Sequence, residues 1–270
     1  MIKKEVSPQE CKKILFGILV NIAKFCEMHN IKYSLSYGTL IGAIRHKGFI
    51  PWDDDIDIIM IRSEYDKFVS MYKDDHYKLI KGENIGNHMH VVVTDCDTQL
   101  EFLDSRASAI FYKGGLWVDV FPIDKVPEDQ QDYCRLKRKI VFYNRLQRVA
   151  QNATKKKNRF YCVAYPFLRP FANYFGKKVS SLVHSNDNSS TLIVADLSLW
   201  YLNFPPFPAS YMKEFVEVEF EGRKFLAMKE YDSFLRGIYG DYMQFPPLAE
   251  RKPKHSYIAY WRYEGADNTL

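Results

Sequence analysis

Residues 52–58 read Trp-Asp-Asp-Asp-Ile-Asp-Ile, and no other stretch limits the fold as tightly. In an extended strand, side chains two positions apart share a face. Asp55 and Asp57 then point one way while Ile56 and Ile58 enter a core. Two like charges ~4 Å apart repel by about 4 kcal/mol at an effective dielectric near 20. A folded chain tolerates the pair if a cation sits between the carboxylates or if one carries a proton. Hard oxygen ligands without His or Cys beside them favour Mg²⁺ or Mn²⁺ over zinc. A calcium loop is the other reading of an acid run, but its obligatory Gly and distal Glu are missing. A solvated acidic turn would not alternate with isoleucine.

A third acid lies in Val118-Asp119-Val120, between two β-branched residues where an unpaired charge is expensive. With Asp55 and Asp57 it predicts a three-carboxylate metal site, with room for two ions. Asp53 and Asp54 precede the strand and read either as support for the site or as caps of the turn. Asp124, beyond Pro122, reads as a turn residue. Upstream, Tyr37-Gly38-Thr39 steps from strand to helix. Free N–H groups and the dipole at a helix start bind phosphate, and Gly permits close approach.

The periodicities place these motifs on a mixed α/β framework. Ser7-Pro8-Gln9-Glu10 predicts a capped helix start, and Ile14, Ile18, Ile22 and Phe25 form its apolar stripe, with a stop at His29-Asn30. Ile31, Tyr33, Leu35 and Tyr37 alternate as a strand. A short helix runs from Gly38-Thr39 to about His46 and stops at Gly48. Asp55–Ile61 is a strand, followed by a helix whose Ser63 and Asp66 form a second capping box. Strands follow at Tyr77–Ile80, His90–Thr94 and Leu116–Phe121, the last ended by Pro122. A hairpin turns at Glu221-Gly222, a helix over Glu230–Tyr239 stops at Gly240, and 241–270 reads as an irregular aromatic tail.

Charge divides the chain. Between Asp132 and Asp187 no Asp or Glu occurs over 54 residues, yet thirteen of the 38 basic residues lie there. The remaining 25 basic residues face 33 acids, so the rest of the chain is acidic by eight charges under a net +5. The predicted organisation is a catalytic core over 1–132, a basic, aromatic-rich helical insertion over 133–203, and a segment over 204–270 completing the core. Leu136, Ile140, Tyr143, Leu146 and Ala150 have helical spacing, and Phe160, Tyr161, Phe167, Phe171 and Tyr174 are interleaved with basic residues. Basic side chains beside aromatics suit an anionic membrane surface, expected over 133–186. A helical subdomain with its own aromatic core is the other reading. No apolar run approaches the ~18 residues of a span. The start is too charged for a signal peptide, and five scattered cysteines predict reduced thiols in the cytoplasm.

The Gly-Thr step, the acid–apolar–acid strand and the third acid on a neighbouring strand resemble the nucleotidyltransferase superfamily. Residues 38–58 (GTLIGAIRHKGFIPWDDDIDI) resemble more specifically the LicD/fukutin family of phosphotransferases, as do 117–124 (WVDVFPID) and 239–247 (YGDYMQFPP). The likeness covers about 30–125 and 205–260. It implies a nucleotidyltransferase-like mixed sheet flanked by helices. It also implies transfer of a phospho-alcohol, typically phosphocholine from CDP-choline, to a lipid-linked cell-surface glycan or teichoic-acid precursor. Gly38 and Thr39 would then hold donor phosphates, and Asp55, Asp57 and Asp119 the metal. Arg45, His46 and Lys47 are cationic candidates for phosphate contact, although helix C-termini attract cations anyway. Trp52 is placed to stack on a base or choline-like cation, or to pack over the strand. His255 is placed to approach the donor, and His88 and His90 share a strand face. Two other classes stay open: a nucleotidyltransferase placing NMP on a small molecule or RNA end, and a non-catalytic nucleic-acid-binding module. The module explains the charge run but not three costly acids, so no nucleic-acid partner is expected. An enzyme working on the inner face of the membrane fits all these features.

Overall fold

The computed structural model describes residues 4–81, 90–103, 114–151, 165–198 and 204–262. Helix α1 (Pro8–Met28) opens with the expected capping box: Ser7 N–H donates to Glu10 Oε2 at 2.8 Å, and Glu10 N–H to Ser7 Oγ at 3.3 Å. Its stripe of Leu15, Ile18, Leu19, Ile22 and Phe25 is buried. Strand β1 (Ser34–Leu35) is followed by α2 (Tyr37–His46), β2 (Asp57–Ile61), α3 (Arg62–Met71), β3 (Tyr77–Lys81), β4 (Val91–Asp95), β5 (Thr98–Phe102) and β6 (Trp117–Lys125). Helices α4 (Gln130–Gln151) and α5 (Ala172–Val183) then form a pair. The chain closes with β7 (Ile193–Ala195), β8 (Phe207–Pro208), β9 (Phe215–Phe220), β10 (Arg223–Met228), α6 (Tyr231–Tyr239) and β11 (Tyr257–Trp261).

The central sheet has the order β1-β2-β6-β4-β3, with β7 on β6 and β8 on β7. Only β2 and β6 run parallel there, and their register sets Asp57 opposite Asp119. Ile56 and Ile58 are fully buried, as the alternation around Asp57 requires, and Ile59 on the other face is buried too. Helices α1, α2 and α3 pack on this sheet. The fold is therefore a mixed α/β sheet flanked by helices.

Several expectations need correction, among them the strand expected through Tyr37, which is only Ser34–Leu35, and the strand expected from Asp55, which starts at Asp57. Pro122 does not end β6, which continues through it to Lys125. Asp119 donates its N–H to Ile56 on the β2 side, so the alternate position 122 faces the other edge. There β4 has stopped at Val120 and β7 begins only at Asp124. No ladder bond is lost where proline has none to give. Asp124 is not a turn residue: it is 1% exposed and accepts from Arg62 Nε and Nη2 at 2.6 and 2.8 Å. The second capping box does not form, because α3 starts a residue earlier and Ile61 occupies the cap position. The aromatic tail contains β11, antiparallel to β5, with the N-terminal segment bridging to it at Glu5.

The expected hairpin turn is present, with Glu221 at φ 51° and Gly222 at φ 73°, the two left-handed positions that match strand twist. Helix α2 is closed by left-handed Lys47 rather than by Gly48. The α4–α5 pair has its own core, in which Tyr133, Leu136 and Ile140 meet Val179 and Val183. Lys155, Lys156, Lys157, Phe160, Tyr161 and His88 lie outside the described residues.

Candidate active site

The acids converge at the start of β2. The turn after Ile50 is closed by Asp53 N–H donating to Ile50 O at 3.0 Å, and Asp53 to Asp57 then run into the parallel pairing with β6. Thr39, 2% exposed in the first turn of α2, accepts the Asp57 N–H on Oγ1 at 2.9 Å. Ser36 N–H donates to Asp57 O at 3.1 Å. The Gly-Thr step thus ties the helix start to the acid strand. Gly38 has a further reason to be glycine: an added Cβ would lie 2.5 Å from Asp53 Oδ2. Tyr37 opens α2 at φ 48°, a strained position for a non-glycine residue. Its hydroxyl donates to Asp196 Oδ2 at 2.7 Å and its ring stacks on Phe204, which together hold it there.

Burial and mutual repulsion act on these carboxyls together. Burial, then the charge of Asp55, pushes Asp53 up to about 7. Asp57 is raised well above the usual carboxylate range by burial, then by Asp55, Asp119 and Asp53. Burial also raises Asp55, whose Oδ1 is enclosed with no hydrogen-bond partner. An enclosed carboxylate oxygen without a donor is what a hard cation would satisfy. Asp119 is held from two sides, by Trp117 Nε1 at 2.8 Å and His90 Nε2 at 3.1 Å. Such outer contacts fix the orientation of a ligand carboxylate.

A second cluster sits across the first. Asp54 accepts the backbone N–H groups of Lys254 and His255 at 3.3 and 3.1 Å, and lies 3.2 Å from His255 Nδ1. Burial opposes ionisation of Asp54, but the hydrogen bond and charge of His255 outweigh it and lower its pKa. His255 moves the other way: burial lowers it, and Asp54 and Asp55 raise it further than that. The Lys254 ammonium loses to burial and gains more from Asp55, Asp53, Asp57 and Asp54.

Two three-residue groups among the described residues bring metal-ligand atoms within 4.8 Å of one another. One is Asp54, Asp55 and His255; the other, on a different part of the sheet, is His76, Asp95 and Asp97. Asp55, Asp57 and Asp119 do not form such a group, although Asp57 and Asp119 are register partners. His255, expected from the sequence to approach the donor, lies against Asp54 and Asp55. The sequence offers Asp53 as a support of the site or a turn cap, and His90 as a strand-face residue that could join it; Lys254 is not picked out, being distant from the acids in sequence. The other expected donor contacts have different neighbours. Arg45 Nη1 donates to the carbonyls of Tyr242 and Gln244 at 2.6 and 3.1 Å and lies over Phe245. Lys47 is the helix cap and accepts from Glu221 N–H. Trp52 packs on Phe245 with Arg251 over its ring, and His46 stands edge-on to both rings.

A helix start braced on a strand of buried acids, with a further acid in register on the parallel neighbour, is the apparatus of a phosphotransferase of nucleotidyltransferase type. Residues 30–146 match the family model described as LicD/FKTN/FKRP, nucleotidyltransferase domain. The chain is 32% identical over 271 residues to the lipopolysaccharide cholinephosphotransferase LicD of Haemophilus influenzae, an alignment covering 95% of this chain and 99% of that one. It belongs to the LicD family of phosphotransferases. Uncharacterised proteins of Rickettsia prowazekii and Rickettsia typhi are each 46% identical over 44 residues, 16% of this chain and 16% and 14% of theirs.

Proposed function

We propose that the chain transfers phosphocholine from CDP-choline to a hydroxyl of a lipid-linked glycan precursor of lipopolysaccharide. The near end-to-end alignment with the Haemophilus cholinephosphotransferase carries this reading. The acid cluster supports it, because phosphoryl transfer asks a protein mainly to position groups and neutralise developing charge. Asp55 and Asp57, with Asp53 and Asp119 beside them, are the residues to hold one or two Mg²⁺ or Mn²⁺ ions. Such ions, when bound, supply positive charge to the oxygens of the transferring phosphoryl group.

The chain's own residues do the rest. Thr39 fixes the Asp57 backbone, and His90 and Trp117 orient Asp119. Asp54 holds the Lys254-His255 backbone against the acids, which brings a cation to the side of the donor phosphates. As the acceptor oxygen bonds to phosphorus, the bond to CMP breaks and the acceptor proton passes to a carboxylate of the cluster. The four described cysteines Cys11, Cys26, Cys96 and Cys134 are unpaired, which supports work in a reducing compartment such as the cytoplasm.

The test is incubation with CDP-choline, Mg²⁺ and a glycan acceptor, reading CMP release and phosphocholine on the glycan. CDP-glycerol and CDP-ribitol in parallel identify the alcohol. Pyrophosphate release from CTP or ATP, with no turnover of any CDP-alcohol, would assign the site to nucleotidyl transfer instead.

A further inference from the structure

The inner face of the α4–α5 pair packs Tyr133, Leu136, Ile140, Val179 and Val183 against one another and against Val126, Ala195 and Leu197. Outward on α4 stand Arg135, Arg138, Phe142 and Arg145, at steps of three and four residues, with Phe142 58% exposed. Phe167, Phe171 and Tyr174, at the same steps along the approach to α5 and its first turn, are 73%, 54% and 53% exposed. Lys177 and Lys178 follow in exposed positions. Four large aromatics in water on a small helical pair form a concentration of apolar surface that folding does not explain. Within 133–186 every charged side chain other than histidine is basic, and the acid at the edge of this face, Asp132, is paired with Arg135 at 2.7 Å.

We propose that the outer face of the α4–α5 pair docks on the surface of an anionic phospholipid bilayer. Aromatic rings settle at the boundary between headgroups and acyl chains, where an apolar body and a polar edge are both accommodated. Arginine and lysine beside them meet anionic headgroups. The docking is peripheral, since no helix among the described residues is long and apolar enough to cross a membrane. A single-stranded nucleic acid would also use basic and aromatic side chains, but its sites are grooves that track a backbone. Here the aromatics stand exposed on α4, along the approach to α5 and in its first turn.

Cosedimentation of the full chain with vesicles tests this without any turnover. Binding is expected to vesicles of phosphatidylcholine containing phosphatidylglycerol and not to phosphatidylcholine alone, and to weaken as salt shortens the Debye length. Two triple variants separate the contributions: Phe167→Ser with Phe171→Ser and Tyr174→Ser, and Arg138→Gln with Lys177→Gln and Lys178→Gln. Each should weaken vesicle binding by about tenfold or more. Melting temperature and transfer to a soluble glycan should stay as in the parent. Equal binding to neutral vesicles, unchanged binding in either variant, or a solution dimer that the aromatic variant dissolves would overturn the proposal.

Discussion

The start of β2 and the α4–α5 pair treat charge in opposite ways. On β2 the sheet carries like charges inward: Asp53, Asp55 and Asp57 crowd together, and one oxygen is left without a donor. On the helical pair like charges point outward into water, where repulsion is screened, and the inward side chains are uncharged: an apolar cluster with the amides of Asn144 and Gln147. The two regions have opposite sign and are built from different periodicities. Stability alone would favour the second arrangement everywhere. Like charges held inside the first therefore mark the place where the fold gives up stability for chemistry.

The sharpest way to break this contrast is to neutralise the inward acids. Asp55→Asn and Asp57→Asn should each lower turnover by roughly a thousandfold, while the metal-free protein melts no lower than the parent. A fall in melting temperature matching the lost activity would mean that the acids are structural.

Asp124 sharpens the contrast within the sheet, since it is buried but paired. Asp124→Ala leaves the Arg62 guanidinium only its 3.5 Å contact with the exposed Asp66 and should cost about 3 kcal/mol in urea unfolding. A change below ~1 kcal/mol, within the range of a surface ion pair, would contradict a buried pair.

Acidity gives a smaller, reversible probe. The folded pKa of Asp53 is raised to about 7 from the ordinary value of 3.8, and those of Asp55 and Asp57 also lie above that value. Their contribution to stability is fully present below the ordinary value and is lost as pH rises through the folded one. In chelator, the melting temperature should therefore fall by several degrees as pH rises from about 5 to 8. Mg²⁺ should restore it at the upper end. A chelated protein with a flat profile over that range would show that the acids do not repel.

The smallest effect belongs to the outward charges. Arg138→Gln with Lys139→Gln should change unfolding free energy by no more than about 0.5 kcal/mol. A larger loss would place these residues in the fold rather than on its surface.

The crowding of acids at the start of β2 was legible because the strand period of two announces itself in six residues. Asp57 and Asp119 needed no knowledge of their partners, since each sits between apolar neighbours that face the core, and Asp55 stands two residues before Asp57. His90 and Lys254 were not legible in their roles. Their meaning depends on β4 lying against β6 and on the chain returning before β11, contacts of long sequence separation. Pro122 misled because proline's cost in a strand depends on which edge its nitrogen faces, and that is a property of the sheet. Asp124 misled for the same reason: the partner that makes it a core residue, Arg62, begins a helix sixty-two positions earlier. Strand β11 was hidden among aromatics whose alternation is blurred, and only its pairing with β5 defines it.

The parallel register that sets Asp57 beside Asp119 also determines which changes in chain length the protein can inherit. Between those two residues lie α3, β3, β4 and β5, and their connecting segments can lengthen or shorten without altering which acid faces which. Within β2 or β6 no such freedom exists. One inserted or deleted residue turns the acid to the opposite face and brings an isoleucine or valine to the reacting side. Length variation should therefore accumulate in the connections, while the two strands keep their residue count.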